Sequence, residues 1–514
     1  MEETMGSRGA GRGESSVLAA LADAVLQPGF VGTTLPEWVR RRLSNGLGGI
    51  ALYSRNIVTN EQVKALTAAI RAENPHAVVA TDEEGGDVTR LEARTGSSRP
   101  GNLALGAADD PVLTGHVARG LGLELAEVGV NLTYAPVVDI EGDLDNPVVG
   151  TRAFGADPGL VARHAAAWVT GVQSAGVAAC AKHFPGHGAT STDSHDALPT
   201  VTYSAEELGR LALPPFRAAI DAGAKAVMTG HLLVPAYDPD SPATTSSRLL
   251  MELLRGELGF DGLVVTDGIE MAPVSERYGL GGATVRALVA GADAVCVGGQ
   301  NASPGVVGLI RNTIMAAVAD GTLPEDRLAD AAARVRRLAD WAREHRQAAG
   351  EGDGLDSAEL SAARRALRVT VNQPPRPGGP PYVVELVAPT NLAIDPITPW
   401  GVAAELTARA PATTVARLVE PDDDTLLRTV KAAEGRLLVV TVRTAHRHAW
   451  VSAALDAMLV RRPDAVVVEM GTPTSAAPGA VHLATYGATR VCARAAAEAI
   501  ADLGLLDSGA STGG

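Results

Sequence analysis

Eight short apolar runs, separated by longer amphipathic stretches, fill the first 345 residues and restrict the fold more than any other feature of this chain. They are 28-PGFVGT, 48-GGIALYS, 77-AVVATD, 130-VNLTYAPVVD, 177-VAACAKH, 225-KAVMTGH, 262-GLVVTD and 293-DAVCVGG. Most are continuously apolar, not alternating, which is the pattern of parallel strands covered on both faces. The stretches between them read as helices. In 204-SAEE, Ser204 is placed as an N-cap with Glu207 at N3, and 247-SRLLMELLRGEL ends at Gly259. Eight strand–helix units in this length predict an α/β chain whose residues 14–345 form a TIM (β/α)8-type barrel, in preference to an open doubly wound sheet.

A chain of 514 residues exceeds what one hydrophobic core supports, so a second domain is expected. Residues 346–380 hold 349-AGEGDG, a short charged helix and 373-QPPRPGGPP, and read as a linker. Beyond it 382-YVVELV, 436-RLLVVTV and 465-AVVVEMG alternate with helical stretches such as 491-VCARAAAEAIADLG. This predicts a smaller α/β sandwich domain over 381–507. Residues 1–13 and 508–514 read as disordered tails.

A net charge of −15 without a long basic run argues against a nucleic-acid partner. No apolar run reaches the roughly 18 residues of a membrane span, so no membrane partner is expected. MEETMGSRGAGRGESS has no apolar core of a secretory signal. Cys180, Cys296 and Cys492 are far apart and odd in number, which fits a reducing compartment, and a cytoplasmic location is expected. Aromatic residues are only 3% of the chain, so it has few flat rings with which to line an extended polysaccharide cleft. Oligomeric state is not legible.

Several of the apolar runs end in a polar residue: Asp82, Asp139, Lys182–His183, His231 and Asp267. One such residue is an ordinary strand terminator. Five, mixing both charge signs with histidine, fit the C-terminal face of a barrel, where residues from distant positions converge. Asp267, between a buried-type run and a glycine, is placed as a nucleophile or a metal ligand. Asp82 heads 82-DEEGGDVTRLE-92, where paired glycines allow a sharp turn and bring Arg90 back. With Arg152 in 150-GTRAFG-155, these are groups that grip vicinal hydroxyls.

The stretch 181-AKHFPGHGATSTDSHDALPT-200 is too long a loop to be incidental. Its Gly186 and Gly188 read as hinges. Asp193-x-His195 lets a carboxylate orient an imidazole for proton transfer. The same residues leave a second reading open, in which His183, His187, Asp193 and His195 hold a divalent metal. P-G-H-G lacks the spacing of a phosphate-binding loop.

K-H-F-P-G-H-G followed by D-S-H, with D-x-E-G-G, R-A-F-G and a strand-terminal aspartate, resembles glycoside hydrolase family 3. The branch it is similar to is the bacterial β-N-acetylglucosaminidases of peptidoglycan-recycling type. The resemblance runs from about residue 20 to 345 and more loosely through a C-terminal α/β domain. It implies Asp267 as nucleophile, His195 as general acid/base and Asp193 as its partner. It implies Asp82, Arg90, Arg152, Lys182 and His183 as ligands of the terminal sugar. It further implies an exo-acting, retaining enzyme without metal or cofactor, whose partner is a small GlcNAc-containing glycoside such as a muropeptide.

Three positions depart from the family's pattern: Ala189 and Gly268 stand where aspartate is common, and Asp87 where arginine is common. They leave the sugar and the aglycone open. A neutral imidazole base would not repel phosphate, so a phosphorylase is one alternative and a β-glucosidase another. A non-catalytic sugar-binding protein would require the loss of Asp267 or His195, and both are present. His187 has no firm role. Asp139 and His231 read as supporting residues, Tyr53, Asn131 and Trp168 as packing, and the basic and His residues of 443-RTAHRHAW as reaching the pocket mouth or, the favoured reading, facing solvent.

Overall fold

The computed structural model describes residues 7–142, 146–188, 190, 198–298, 303–346, 355–374 and 378–506. Contacts divide the chain into two compact units: Met1–Glu84 with Ala118–Val149 and Ala156–Asp353, and Gly85–Val117 with Gly150–Gly155 and Gly354–Gly514.

The first unit is a (β/α)8 barrel. Its strands are β1 (Leu26–Pro28), β2 (Gly49–Leu52), β3 (Val78–Thr81), β4 (Leu132–Thr133), β5 (Ala178–Phe184), β6 (Ala226–Thr229), β7 (Leu263–Thr266) and β8 (Val295–Val297). β2 to β7 pair in parallel in chain order. β8 pairs with β1, and a bridge between Val265 and Ala294 links β7 to β8. Between β1 and β2 the Gly48 amide donates to the Asp23 carbonyl at 3.0 Å. Seven of the eight apolar runs carry a strand; the first, 28-PGFVGT, only touches β1, which ends at Pro28 where that run begins. β4 is short because Pro136 brings no amide hydrogen to the ladder; the chain stays beside β5 through the bridge of Val137 to Lys182.

Strand side chains alternate between two faces. The inward set, Val78 and Ala80, Ala178 and Cys180, Ala226 and Met228, Leu263 and Val265, forms one buried cluster with Ala51, Leu132, Tyr134, Ala294 and Cys296. Continuing the same alternation by one step places Asp82, Lys182 and Asp267 inward at the C-terminal ends of β3, β5 and β7.

The Ser204 cap forms as expected, its Oγ accepting from the Glu207 amide at 3.2 Å while Glu207 Oε2 accepts from the Ser204 amide at 2.9 Å. The helix Arg248–Glu257 is a wide, π-type helix followed by Gly259 at φ +69°. At the N-terminus a helix spans Ser7–Ala24, so residues 7–13, expected to be disordered, begin a helix that leads into β1.

The second unit holds a six-stranded sheet: β9 (Arg368–Val371), β10 (Gly379–Leu386), β11 (Thr414–Leu418), β12 (Arg436–Val442), β13 (Val466–Glu469) and β14 (Val481–Ala484). The spatial order is β9-β14-β13-β12-β10-β11, with β9 alone antiparallel. One face packs Val383, Val439 and Val468 under helix Arg490–Asp502; the other packs Val384, Val440 and Val467 against Leu455 and Met458. This is the predicted α/β sandwich. The stretch read as a linker contributes β9 and the helix Leu355–Ala366. That helix is no spacer, because Leu360, Ala363 and Ala366 are buried against Ala104, Val491, Cys492 and Ala495.

Candidate active site

Lys182 is 2% exposed, and an ammonium so buried is stable only when paired. Its Nζ donates to Asp82 Oδ1 at 2.7 Å and lies 2.7 Å from Glu84 Oε1. One inward step below Lys182, burial pushes the Cys180 thiol far up; the Lys182 charge opposes this, while those of Asp82 and Asp267 add to it. The two carboxylates and the ammonium therefore act on one small region at the barrel's C-terminal end. Three sequence-predicted residues, Asp82, Lys182 and Asp267, are brought together there.

Asp267 is half-buried. Its amide donates to the Thr229 carbonyl at 3.2 Å, and its Oδ1 accepts the Gly268 amide at 2.7 Å. The carboxylate is thus tied to its own turn. A Cβ at position 268 would lie 3.4 Å from Glu270 Cδ and 3.4 Å from Oε1. Glu270 Oε1 is itself fixed by the Gly298 amide at 3.0 Å. An aspartate at 268 would face a second carboxylate, which accounts for the glycine.

His183 follows Lys182 across a cis peptide, and the Phe184–Pro185 peptide is cis as well. Its Nδ1 lies 2.7 Å from Oδ2 of Asp139, a fully buried carboxylate. Asp139 also accepts the His183 amide at 3.2 Å and the His187 amide at 2.7 Å. Burial raises its pKa, but the charge and hydrogen bond of His183, joined by His187, outweigh burial and hold it below the ordinary value. An ionised Asp139 makes Nδ1 the protonated nitrogen of His183, with Nε2 on the far side of the ring.

His187, which had no firm role, is an anchor. It is 1% exposed, its carbonyl accepts Asn146 Nδ2 at 3.1 Å, and its Nδ1 is 2.9 Å from Thr190 Oγ1. Gly188 is no hinge either. A Cβ there would sit 1.5 Å from the Ile140 carbonyl oxygen, so only glycine permits this approach. Asp193 and His195, with Ala189, lie outside the described residues. Of the metal reading, His183 and His187 have their Nδ1 atoms engaged by Asp139 and Thr190, and the other two residues lie outside the described set. Among the described residues no group of three or more His, Cys, Asp or Glu side chains could hold a metal ion.

Arg90 and Arg152 belong to the second unit. Arg90 Nη1 donates to the Ala393 carbonyl at 2.9 Å. Arg152 is 6% exposed, and its carbonyl accepts Asn102 Nδ2 at 2.7 Å. In the same unit Asp87 pairs with Arg443 Nη2 at 2.8 Å, accepts the Thr151 hydroxyl at 2.8 Å and accepts the Ala488 amide at 2.8 Å. Arg443 therefore does not face solvent as expected. Its side chain is 11% exposed because it neutralises a buried carboxylate.

Residues 32–338 match the Glycosyl hydrolase family 3 N terminal domain. The chain belongs to glycoside hydrolase family 3. It is similar to a β-hexosaminidase of Pseudomonas aeruginosa (strain LESB58), 42% identical over 261 residues that cover 50% of this chain and 76% of that protein. It is also similar to β-hexosaminidase A of Pseudoalteromonas piscicida, 34% identical over 283 residues, 51% of this chain and only 47% of that longer relative. Among solved structures it resembles a family 3 β-N-acetylglucosaminidase from Paenibacillus sp. str. FPU-7, with a TM-score of 0.86, 31% identity, and coverage of 95% of this chain and 97% of that one. A β-glucoside phosphorylase, with a TM-score of 0.76 at 17% identity, shares the fold.

Glu84 carries no mark in 82-DEEGGDVTRLE-92 that sets it apart from Glu83, and only the fold brings it to Lys182. Asp139 reads in the sequence as a strand end and a supporting residue, without a named partner. Its work became visible once His183 and His187 were seen to share it. No helix among the described residues is long and apolar enough to cross a membrane.

Proposed function

We propose that the chain is an exo-acting, retaining β-N-acetylhexosaminidase that releases terminal β-linked GlcNAc from muropeptides or short amino-sugar glycosides. The observation that carries this reading is the convergence of Asp267, Asp82 and Lys182 at the barrel's C-terminal end. The names of the similar proteins, β-hexosaminidase and β-N-acetylglucosaminidase, support the sugar.

In the first step Asp267 attacks the anomeric carbon. A carboxylate oxygen–C1 bond forms as the C1–aglycone bond breaks, and the departing oxygen takes the proton of His195. The Gly268 amide holds Oδ1 of the attacking carboxylate. In the second step His195 removes a proton from water, the water oxygen bonds C1, and Asp267 leaves with retention of configuration. Asp193 orients the imidazole throughout. Asp82 and Lys182, already hydrogen-bonded to each other, present an acceptor and a donor to adjacent sugar hydroxyls. His183 adds Nε2, with its ring fixed by Asp139.

A panel of aryl β-glycosides of GlcNAc, glucose and xylose, run with wild type and Asp267→Ala, tests the reading. GlcNAc should be preferred, the first-formed product should be the β-anomer, and the variant should lose at least about a thousandfold in kcat. Preference for glucose would overturn the substrate, full activity of the variant would overturn the mechanism, and GlcNAc-1-phosphate formed in phosphate buffer would overturn hydrolysis.

A further inference from the structure

The geometry points to His231 as a positioning residue that fixes the turn carrying Asp267. This rests on Asp267 being the nucleophile.

His231 is fully buried and lies two residues beyond β6. Its Nε2 is 2.9 Å from the Gly268 carbonyl oxygen, and its Nδ1 is 2.8 Å from Thr244 Oγ1. A carbonyl only accepts, so Nε2 carries a hydrogen and donates. Nδ1 faces the Thr244 hydroxyl, which also donates to the Gly230 carbonyl at 3.1 Å. Thr244 is held in turn, with its Oγ1 2.8 Å from Thr229 Oγ1. Thr229 closes the circuit, because its carbonyl accepts the Asp267 amide at 3.2 Å.

The need for such a clamp follows from the residue it grips. Gly268 has no Cβ, so its dihedral angles are less restrained by sterics than those of other residues. Its amide holds Asp267 Oδ1 at 2.7 Å, while its carbonyl belongs to the next peptide plane. Rotation about Gly268 would swing the amide that orients the nucleophile. His231 holds the far plane together with the Met271 amide, which donates to the same Gly268 carbonyl at 3.0 Å, and the Ile269 amide, which donates to the Cys296 carbonyl at 3.0 Å; the Thr229 carbonyl pins the Asp267 amide. Displacement of a reacting group by about 1 Å costs on the order of a hundredfold in rate, so the clamp should act on the glycosylation step and not on sugar affinity.

Two near-isosteric variants separate the bonds. His231→Gln can place an amide nitrogen where Nε2 stood and keep the bond to Gly268. His231→Asn can place an oxygen where Nδ1 stood, keeping Thr244 and losing Gly268. A 5-fluoro N-acetylglucosaminyl fluoride traps the glycosyl-enzyme, and mass spectrometry reads its rate and site. We expect label on Asp267 in wild type and labelling about 10- to 100-fold slower in His231→Asn. His231→Gln should stay within roughly fivefold of wild type, by the same positional argument. KM for an aryl GlcNAc glycoside should hardly move in either. Thr244→Val, which removes the hydroxyl beside Nδ1, should fall between them, and Thr244→Ser should behave as wild type.

Equal labelling rates for Asn and Gln, or rates that simply follow the loss of melting temperature, overturn the role of His231 alone. Wild-type label on another carboxylate overturns the nucleophile assignment, a separate and distinguishable result.

Discussion

Nδ1 of His183 sits 2.7 Å from one carboxylate oxygen of Asp139, and the other oxygen lies 2.7 Å from the His187 amide nitrogen. One buried charge thus ties the end of β5 to the loop that follows it. Asp139→Asn keeps the shape and removes the charge. It should destabilise the fold at neutral pH by about 1.5–3 kcal/mol, the range for hydrogen bonds to charged groups. The folded pKa of Asp139 lies below its ordinary value of 3.8. Its contribution is therefore complete above that value and is lost as pH falls through the lower, folded one. Urea unfolding at pH 7, 5 and 3 should show wild type and variant converging only at the acid end. A constant gap across this range would contradict the assignment.

Lys182 neutralises two carboxylates, and Lys182→Met would leave Asp82 and Glu84 facing one another. Breaking a buried pair from one side costs roughly 3–5 kcal/mol. Chemical denaturation should register this, and kcat/KM for an aryl GlcNAc glycoside should fall with it. Glu84→Gln, by contrast, should retain most activity with a smaller loss of stability. If Glu84→Gln were the more damaging of the two, the lysine would not be the centre of this cluster.

In the sandwich unit the Asp87–Arg443 pair invites a double-mutant cycle. Asp87→Ala and Arg443→Met should each destabilise by about 3 kcal/mol, because each strands the partner's buried charge. The double variant should lose far less than the sum. Additive losses would mean that the pair, despite its 2.8 Å separation, does not act as a unit.

Two glycines make a direct comparison. Gly188→Ala forces a Cβ onto the Ile140 carbonyl oxygen and should cost about 1–3 kcal/mol or more, together with activity, because the chain runs on from there to Asp193 and His195. Gly209→Ala, with nothing within 4 Å of its Cβ and in a helical segment, should be neutral or stabilising by about 0.5–1 kcal/mol. Melting curves of the two variants decide this. Similar melting temperatures would refute the close approach at Gly188.

The barrel was legible because burial on both faces writes continuous apolar runs, and because alternation carries Val78–Ala80 on to Asp82 and Leu263–Val265 on to Asp267. β9 and β11 were not legible. They are sheet edges with mostly exposed side chains, so RVTV and TVARL carry little apolar signal. The work of Asp139, Glu84 and His231 was hidden for a different reason. Each acts on a partner brought near only by the fold: His183 is 44 residues from Asp139, and the Gly268 carbonyl is 37 residues from His231. The second glycine of P-G-H-G, Gly188, reads in the sequence as freedom, whereas the Ile140 carbonyl makes it a requirement of packing. Asp193 and His195, the most specific part of the motif, lie outside the described residues and stand on the family resemblance.

The segments Gly85–Val117 and Gly150–Gly155 lie within the barrel's stretch of chain but share the core of the second unit, where Ala104 meets Leu360 and Val491. Sequence order and folding unit are therefore interleaved, and the gene has no single cut point between them. Ending translation after residue 346 would leave Ala104 and the buried Asp87 without the side chains that cover and neutralise them. Starting it there would leave the sandwich without the helix Asn102–Ala108. Exchange of the C-terminal part between relatives would succeed only if the two inserted segments travelled with it, so the heritable module is a discontinuous set of residues and not a stretch of sequence.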